Sequence, residues 1–191
     1  MASPVTQSPR LSIIAGPTAV GKGTLMAELR RRHPDLFVSV SATTREPRPG
    51  EIDGVHYHFV TDTEFDRLVA AGQMLEWALV HGAHRYGTPR RPVEECLAAG
   101  KPVVLEIDLD GARQVRCSMP EAQLIFIAPP NWEELVKRLR CRGTEDATEQ
   151  ERRLITARAE LAAESEFDHL VINDTVSRAT DELEGLIGLT R

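Results

Sequence analysis

The residues of this chain best suited to chemistry gather in one short stretch, GPTAVGKGT, made of Gly16, Pro17, Thr18, Ala19, Val20, Gly21, Lys22, Gly23 and Thr24. A glycine, four residues, a second glycine and a lysine is the spacing of a phosphate-binding loop. The glycines let successive backbone N–H groups turn inward, and the lysine brings a charge to the outer phosphates. The apolar run LSIIA (11–15) precedes the stretch and a helix-forming run follows it, so a helix N-terminus adds its positive end. One position departs from the pattern. Gly23 stands where a Ser or Thr hydroxyl usually meets the magnesium ion that travels with a nucleotide. A dinucleotide loop is disfavoured, because G-x-G-x-x-G is absent. A second set lies in SATTREPRPG, where Arg45 and Arg48 sit on a proline-constrained segment, placed to grip phosphate oxygens. Ser41, Tyr57 and Tyr86 can add neutral donors. Alone, two such arginines read as solvated surface charge; beside a phosphate loop they read as an anion grip.

The elements that must carry these residues follow from hydrophobic patterning. LSIIA (11–15), PVVLEID (102–108), QLIFIA (123–128) and HLVIN (169–173) are nearly continuous apolar runs, as parallel strands covered on both faces require. Helical period marks 24–32, 111–117, 132–140, 149–167 and 177–189, the last with Thr175 as its cap. The fold class predicted is α/β, a three-layer α/β/α arrangement of the P-loop NTPase type with a parallel central sheet. Residues 43–92 interrupt the alternation with Pro and Gly punctuation, a helical stretch at 64–71 and a strand at 76–80, and are predicted to form an inserted lobe. The polar stretch RGTEDATEQ (142–150) is predicted to act as a small lid. Residues 1–9 are expected to be a flexible tail. The rest, 10–191, is expected to be one domain, its core made of 10–42, 93–141 and 151–191.

Composition sets limits on function. A net charge of −6 argues against a general nucleic-acid binder, so an anionic ligand must be held by local clusters of Arg and Lys. The 3 cysteines are widely spaced and form no C-x-x-C pair, which points to neither a disulfide framework nor a zinc site. No apolar run approaches a membrane span, and MASPVTQSPR lacks the apolar core of a signal peptide, so a cytoplasmic location is expected.

From about residue 10 onward the chain resembles the guanylate kinases, on the motifs SVSATTREPRPGE, GVHYHF, LEW, YGT, LEIDLDGA, FIAPP, RGTE and VIND taken in order. The resemblance implies transfer of the γ-phosphoryl of ATP to GMP, with Mg2+ accompanying ATP. It implies that residues 16–24 hold ATP, that Lys22, Arg45, Arg142 and Arg153 are catalytic, and that Ser41, Arg45, Arg48, Tyr57 and Tyr86 hold the GMP phosphate. It also implies that Glu76, Thr88 and Asp108 hold guanine. Glu76 suits that role chemically, since guanine presents two adjacent donors and a carboxylate is their natural bidentate partner. Beside Gly23, a second departure is Glu106, where an Asp is commoner. Adenylate kinases carry the same GKGT ending, and water can replace one metal-contacting hydroxyl.

Other candidates take structural readings. His56 and His58 share a strand face but have no third metal ligand nearby, so they read as structural or surface residues. Trp77 alternates away from Glu76 and is predicted to point into the lobe's core, and Trp132, Leu135 and Leu139 form a packing stripe. Two alternatives remain open at this level. One is a kinase for AMP or a non-nucleotide acceptor, against which Glu76 argues. The other is a non-catalytic interaction module of the guanylate-kinase-like kind, against which Lys22 argues.

Overall fold

A computed structural model describes residues 10–80, 84–141 and 147–189 of the chain. The strands β1 (Leu11–Ala15), β2 (Phe37–Val38), β7 (Val103–Glu106), β8 (Gln123–Ala128) and β9 (His169–Ile172) form a parallel sheet in the order β2-β7-β1-β8-β9. Every residue of β1 and β8 is buried. Alternation along these strands divides the apolar side chains between two cores. Ile14, Val104, Ile125, Ile127 and Val171 pack on one face with α1 (Lys22–Arg32), α5 (Trp132–Cys141) and α7 (Val176–Ile187). Leu11, Ile13, Ala15, Val103, Leu105 and Leu124 pack on the other with α3 (Arg90–Ala98) and α4 (Leu109–Ser118). Helices thus cover both faces, and the three-layer expectation holds. No helix among the described residues is long and apolar enough to cross a membrane.

Several boundaries differ from expectation. The strand predicted over 102–108 ends at Glu106, because Asp108 leaves the sheet to cap α4, its carboxylate accepting from the Gly111 N–H at 2.7 Å. The helix predicted over 149–167 is α6 (Ala147–Ala162) followed by a 3-10 turn at Glu164–Glu166. The chain then extends so that the Phe167 ring meets Phe126 edge-on at 5.0 Å. Helix α3 carries Pro92 in its first turn, where the missing N–H costs nothing, and its proline hid it among the punctuation of the inserted segment. Leu135 and Leu139 are buried and Trp132 packs beside them, as their stripe predicts.

The inserted segment builds a second sheet from β3 (Ala42–Thr43), β4 (His58–Phe59), β5 (Met74–Val80) and β6 (His84–Pro89), in the order β4-β3-β6-β5. Its own core is small: Ala42, Phe65 and Met74, with Val60, Leu68 and Val69 around them. Phe65 comes from α2 (Asp62–Ala70), whose N-terminus is capped by Thr61, the hydroxyl accepting from the Glu64 N–H at 3.2 Å. The Arg85 guanidinium lies 4.8 Å over the Phe65 ring and is paired to Asp62 and Asp66 on α2. Trp77 corrects its expectation. Its ring meets Phe65 edge-on at 6.3 Å but remains 40% exposed, because β5 is the sheet's edge strand and this core is too small to cover it.

Since so few apolar groups hold the second sheet, Phe65→Ala should cost about 3–5 kcal/mol, felt there first. Native-state hydrogen exchange should show β5 and β6 amides losing at least two orders of magnitude of protection while β1 and β8 keep theirs. Equal losses in both sheets would refute an independent second core.

Candidate active site

The loop after β1 turns at the carboxyl edge of the parallel sheet, and two glycines make the turn possible. Gly16 has φ 147, and a Cβ there would sit 2.3 Å from the Ile127 carbonyl oxygen. Gly21 has φ 102, and its Cβ would meet the Asn173 side-chain nitrogen at 2.5 Å. Between them Ala19 takes a left-handed φ of 64, a conformation that holds only where neighbours enforce it. The neighbours are visible. Asn173 Nδ2 donates to the Val20 carbonyl at 2.8 Å, and Arg138 donates to the same oxygen at 3.0 Å and to the Asn173 carbonyl at 3.2 Å. Glu160 on α6 accepts from the Thr18 N–H at 3.2 Å.

Helix α1 starts at Lys22 with no side-chain cap and no acidic residue in its first turn, an arrangement suited to an anion. Lys22 Nζ lies back over the loop, donating to the carbonyls of Gly16 at 2.6 Å and Pro17 at 3.3 Å. No atom lies within 4 Å of a Cβ added at Gly23, and Thr24 follows it within α1. Glu106 ends β7. Although part of its surface is open, the protein atoms crowding it raise its carboxyl above the ordinary value, with Lys22 and Arg30 opposing.

The second cluster lies on the second sheet. Arg45 donates from Nε to the Tyr86 hydroxyl at 3.1 Å, from one terminal nitrogen to Glu51 at 2.9 Å, and from the other to the Glu46 carbonyl at 2.6 Å. Its guanidinium lies 5.5 Å from the Tyr57 ring centre, and Tyr57 and Tyr86 meet edge-on at 5.7 Å. Arg45, Tyr57 and Tyr86 are therefore one unit. Arg48 stands exposed beside it, its backbone N–H donating to Glu51 at 2.7 Å. Burial raises the Tyr57 phenol above its ordinary value, and the Arg45 and Arg48 contacts hold the Glu51 carboxyl below its own. Ser41 is half-buried, and its carbonyl accepts from the His58 N–H at 2.9 Å. His56 and His58 do not act as a pair: His56 Nδ1 accepts from the Ile52 N–H at 3.0 Å, and only His58 belongs to β4. No group of three potential metal ligands occurs among the described residues.

The third cluster is a buried carboxylate. The antiparallel register of β5 and β6 sets Glu76 opposite Thr88, whose hydroxyl donates to Glu76 Oε1 at 2.6 Å. Tyr86 lies two residues along the strand from Thr88, on the same face. Glu76 is 7% exposed, and burial pushes its carboxyl up to about 7, the Thr88 hydrogen bond opposing and the Asp108 charge adding. Gly111 approaches so closely that a Cβ there would lie 3.1 Å from Glu76 Oε2 and 3.2 Å from Asp108 Oδ1. Glu76, Thr88 and Asp108 are thus brought together. Arg153 lies on α6, two turns before Glu160 on the same helix face. Arg142, residues 1–9 and 142–146 of the predicted lid lie outside the described residues, while 147–150 belong to α6.

Sequence reasoning missed the supports of the phosphate loop. Asn173 sits in VIND, a stretch quoted only for likeness. Arg138 looked like any helix-surface charge, Glu160 carried no motif, and Glu51, which holds Arg45, ended a motif that gave it no role of its own. Their roles depend on contacts across 153, 118, 142 and 6 residues of chain respectively, most of them invisible to local pattern.

A parallel sheet whose first strand runs through a glycine-rich loop into an uncapped helix is the architecture of a P-loop nucleotide-binding protein. The guanylate kinase family model matches residues 8–189, and the chain belongs to that family. The guanylate kinase of Leifsonia xyli subsp. xyli is 62% identical over 184 residues, covering 96% of this chain and 72% of that one. That of Thermobifida fusca is 61% identical over 181 residues, covering 95% and 92%. Among solved structures, guanylate kinase from Anaplasma phagocytophilum superposes with a TM-score of 0.72 at 29% identity, covering 95% of this chain and 85% of that one.

Two outcomes follow from this geometry. Gly23→Ser should leave the melting temperature within about 3 °C of wild type, whereas Gly16→Ala should cost about 2–4 kcal/mol through clash and a disfavoured φ. Calorimetry of the two variants checks the pair, and equal effects would refute the loop geometry. The second concerns Glu76, which titrates near 7 in the folded chain against an ordinary 4.5. Between those values the folded chain keeps a proton that the unfolded chain has released, so this group's stability contribution falls as pH rises from about 4.5 to 7 and then levels. Glu76→Gln cannot ionise yet still accepts from Thr88. In urea unfolding it should gain about 2–3 kcal/mol on the wild type between pH 5 and pH 8. Parallel pH profiles would overturn the buried-carboxyl account.

Proposed function

We propose that this chain is a cytoplasmic ATP:GMP phosphotransferase that forms ADP and GDP from ATP and GMP or dGMP. The observation that carries the acceptor assignment is the buried Glu76 carboxylate with the Thr88 hydroxyl on one oxygen and Asp108 alongside. A buried carboxylate that rises to about 7 lacks its natural partner, and guanine's N1–H and exocyclic amine would supply one. Thr88 and Asp108 complete the base site. Two residues along β6, Tyr86 holds Arg45 where, with Arg48, Tyr57 and Ser41, it would receive the acceptor's phosphate.

The donor belongs in the loop of residues 16–24. Lys22 would exchange the Gly16 and Pro17 carbonyls for the β and γ phosphates, and the first amides of α1 would add their dipoles. An oxygen of the GMP phosphate then forms a bond to the γ phosphorus as the bond from that phosphorus to the β–γ bridging oxygen breaks. Charge spreads over the equatorial oxygens, and Lys22, Arg45, Arg142 and Arg153 would neutralise it. Mg2+ bound to ATP supplies further neutralisation. The residues here fit an ion held mainly by phosphate and water, since Gly23 offers no hydroxyl and the described residues form no three-ligand cage. The lobe of 43–92 and the lid of 142–150 would close over both nucleotides and exclude water, which would otherwise compete as acceptor. The ligands are small molecules, and a net charge of −6 suits neither nucleic acid nor an anionic membrane.

AMP would set an acceptor nitrogen against Glu76, a mismatch that leaves buried polar groups unpaired. GMP should therefore be preferred over AMP by on the order of 10⁴ in kcat/KM. Glu76→Gln should erode most of that ratio with KM for ATP nearly unchanged, and Lys22→Ala should abolish turnover with the fold intact. A coupled ADP-release assay with both acceptors measures all three. A wild-type ratio near unity, or one indifferent to the Glu76 substitution, would remove the guanine assignment.

A further inference from the structure

Strand β5 is the edge of the second sheet, and on its open side it meets no strand but helix α4. The helix supplies what a neighbouring strand would. Gln114 accepts from the Trp77 N–H at 3.1 Å and donates to the Trp77 carbonyl at 2.9 Å, so its carboxamide pairs with both backbone groups of one residue. One turn further along, the Ser118 hydroxyl donates to the Leu75 carbonyl at 3.2 Å. Leu75 is the residue at which the β5–β6 register slips, between Met74 opposite Pro89 and Glu76 opposite Thr88. Glu76 is therefore held by its backbone neighbours on both sides, just past a bulge that β6 alone cannot pin. On the same face of α4, Gly111 lies against the Glu76 carboxylate itself. Gly111, Gln114 and Ser118 follow the i, i+3, i+7 spacing of a single helix stripe.

We infer that Gln114, assisted by Ser118, is a positioning residue for acceptor specificity: it splints the backbone around Glu76 so that this carboxylate meets the base at the right depth and angle. The inference rests on the reading that Glu76 receives guanine. Neither side chain touches the buried carboxylate. Each fixes the strand on which it rides, at the residues on either side of Glu76. A bulged edge strand without such a partner can slide or twist by a fraction of an ångström, enough to spoil a bidentate hydrogen bond. The Trp77 backbone groups lie near solvent, so water can replace the lost hydrogen bonds without unfolding the chain.

The experiment uses the full chain with Gln114→Leu, which keeps the bulk and removes both hydrogen bonds, and Gln114→Glu, which keeps only the acceptor for the Trp77 N–H. The expected result for Gln114→Leu is a rise in KM for GMP of about tenfold, a matching fall in the GMP-to-AMP ratio of kcat/KM, and KM for ATP within about twofold of wild type. Gln114→Glu should fall between Gln114→Leu and wild type, and it serves in place of Gln114→Leu if that variant fails to fold. Because the effect passes through Glu76, Gln114→Leu added to Glu76→Gln should cost little more than Glu76→Gln alone. If Glu76→Gln by itself leaves the acceptor ratio unchanged, the guanine reading fails and this inference falls with it. If Glu76→Gln erodes the ratio but Gln114→Leu leaves KM for GMP unchanged, raises both nucleotides' KM equally, or adds its full effect to the double variant, the positioning role is overturned while the guanine reading stands.

Discussion

Among the described glycines the tightest constraint is the passage of Gly16 over the Ile127 carbonyl, where no side-chain carbon fits. Because β1 and β8 are adjacent parallel strands, the chain leaving β1 must cross the end of β8 at once. That crossing sets the direction in which the loop starts, and Gly21 against Asn173 sets how it finishes. The loop is then held by the end of β9, through Asn173, and by α5, through Arg138, both on the Val20 carbonyl. A strained Ala19 in the middle is the mark of a backbone shaped from outside. The apolar strands exist, in this sense, to bring three carboxyl ends to one edge, where a rigid ring of amides can form.

The second sheet solves a different problem. Arg45 and Glu76 are groups of opposite charge that would pair with each other if nothing kept them apart. Register does so. Tyr86 and Thr88 lie two residues apart on one face of β6, the first holding Arg45 and the second Glu76, so the two side chains are separated by a fixed strand interval. Arg45 is further occupied by Glu51, which offers the same kind of oxygens that a phosphate would. Glu76 instead sits in a buried site with one hydroxyl donor and a nearby Asp108, and burial raises its pKa. The two cores of the parallel sheet and the small core around Phe65 are separate apolar clusters: Val20 of the loop packs in one, Leu75 beside Glu76 in the second, and Phe65 in the third.

Glu160 links the loop to the helix that carries Arg153. Its carboxylate receives the Thr18 amide, and burial raises its own pKa while that amide and Lys22 oppose the shift. A helix tied in this way to the phosphate loop cannot move far without altering the loop's amide array, which connects the region after 142–146 to the nucleotide site by direct hydrogen bonding.

The sequence by itself determined the class of fold and marked the candidate residues for chemistry. Continuous apolar runs can only be parallel strands covered twice or buried helices, and the spacing of Gly16, Gly21 and Lys22 is local, so both were readable along the chain. The short strands β2, β3 and β4 were not, since segments of 2 residues carry no period and exist only because neighbours pair with them. Helix α3 was masked by its own proline, and the solvent-open face of Trp77 depended on how little core surrounds Phe65. Tertiary structure alone decided which residues serve the motifs: Asn173 and Arg138 under the loop, Glu51 against Arg45, Gln114 and Ser118 beside Glu76. The physical reason is common to all of them. A motif specifies the groups that face a ligand, whereas the hydrogen bonds that hold those groups come from whatever polar side chain packing brings alongside, often more than a hundred residues away in the chain.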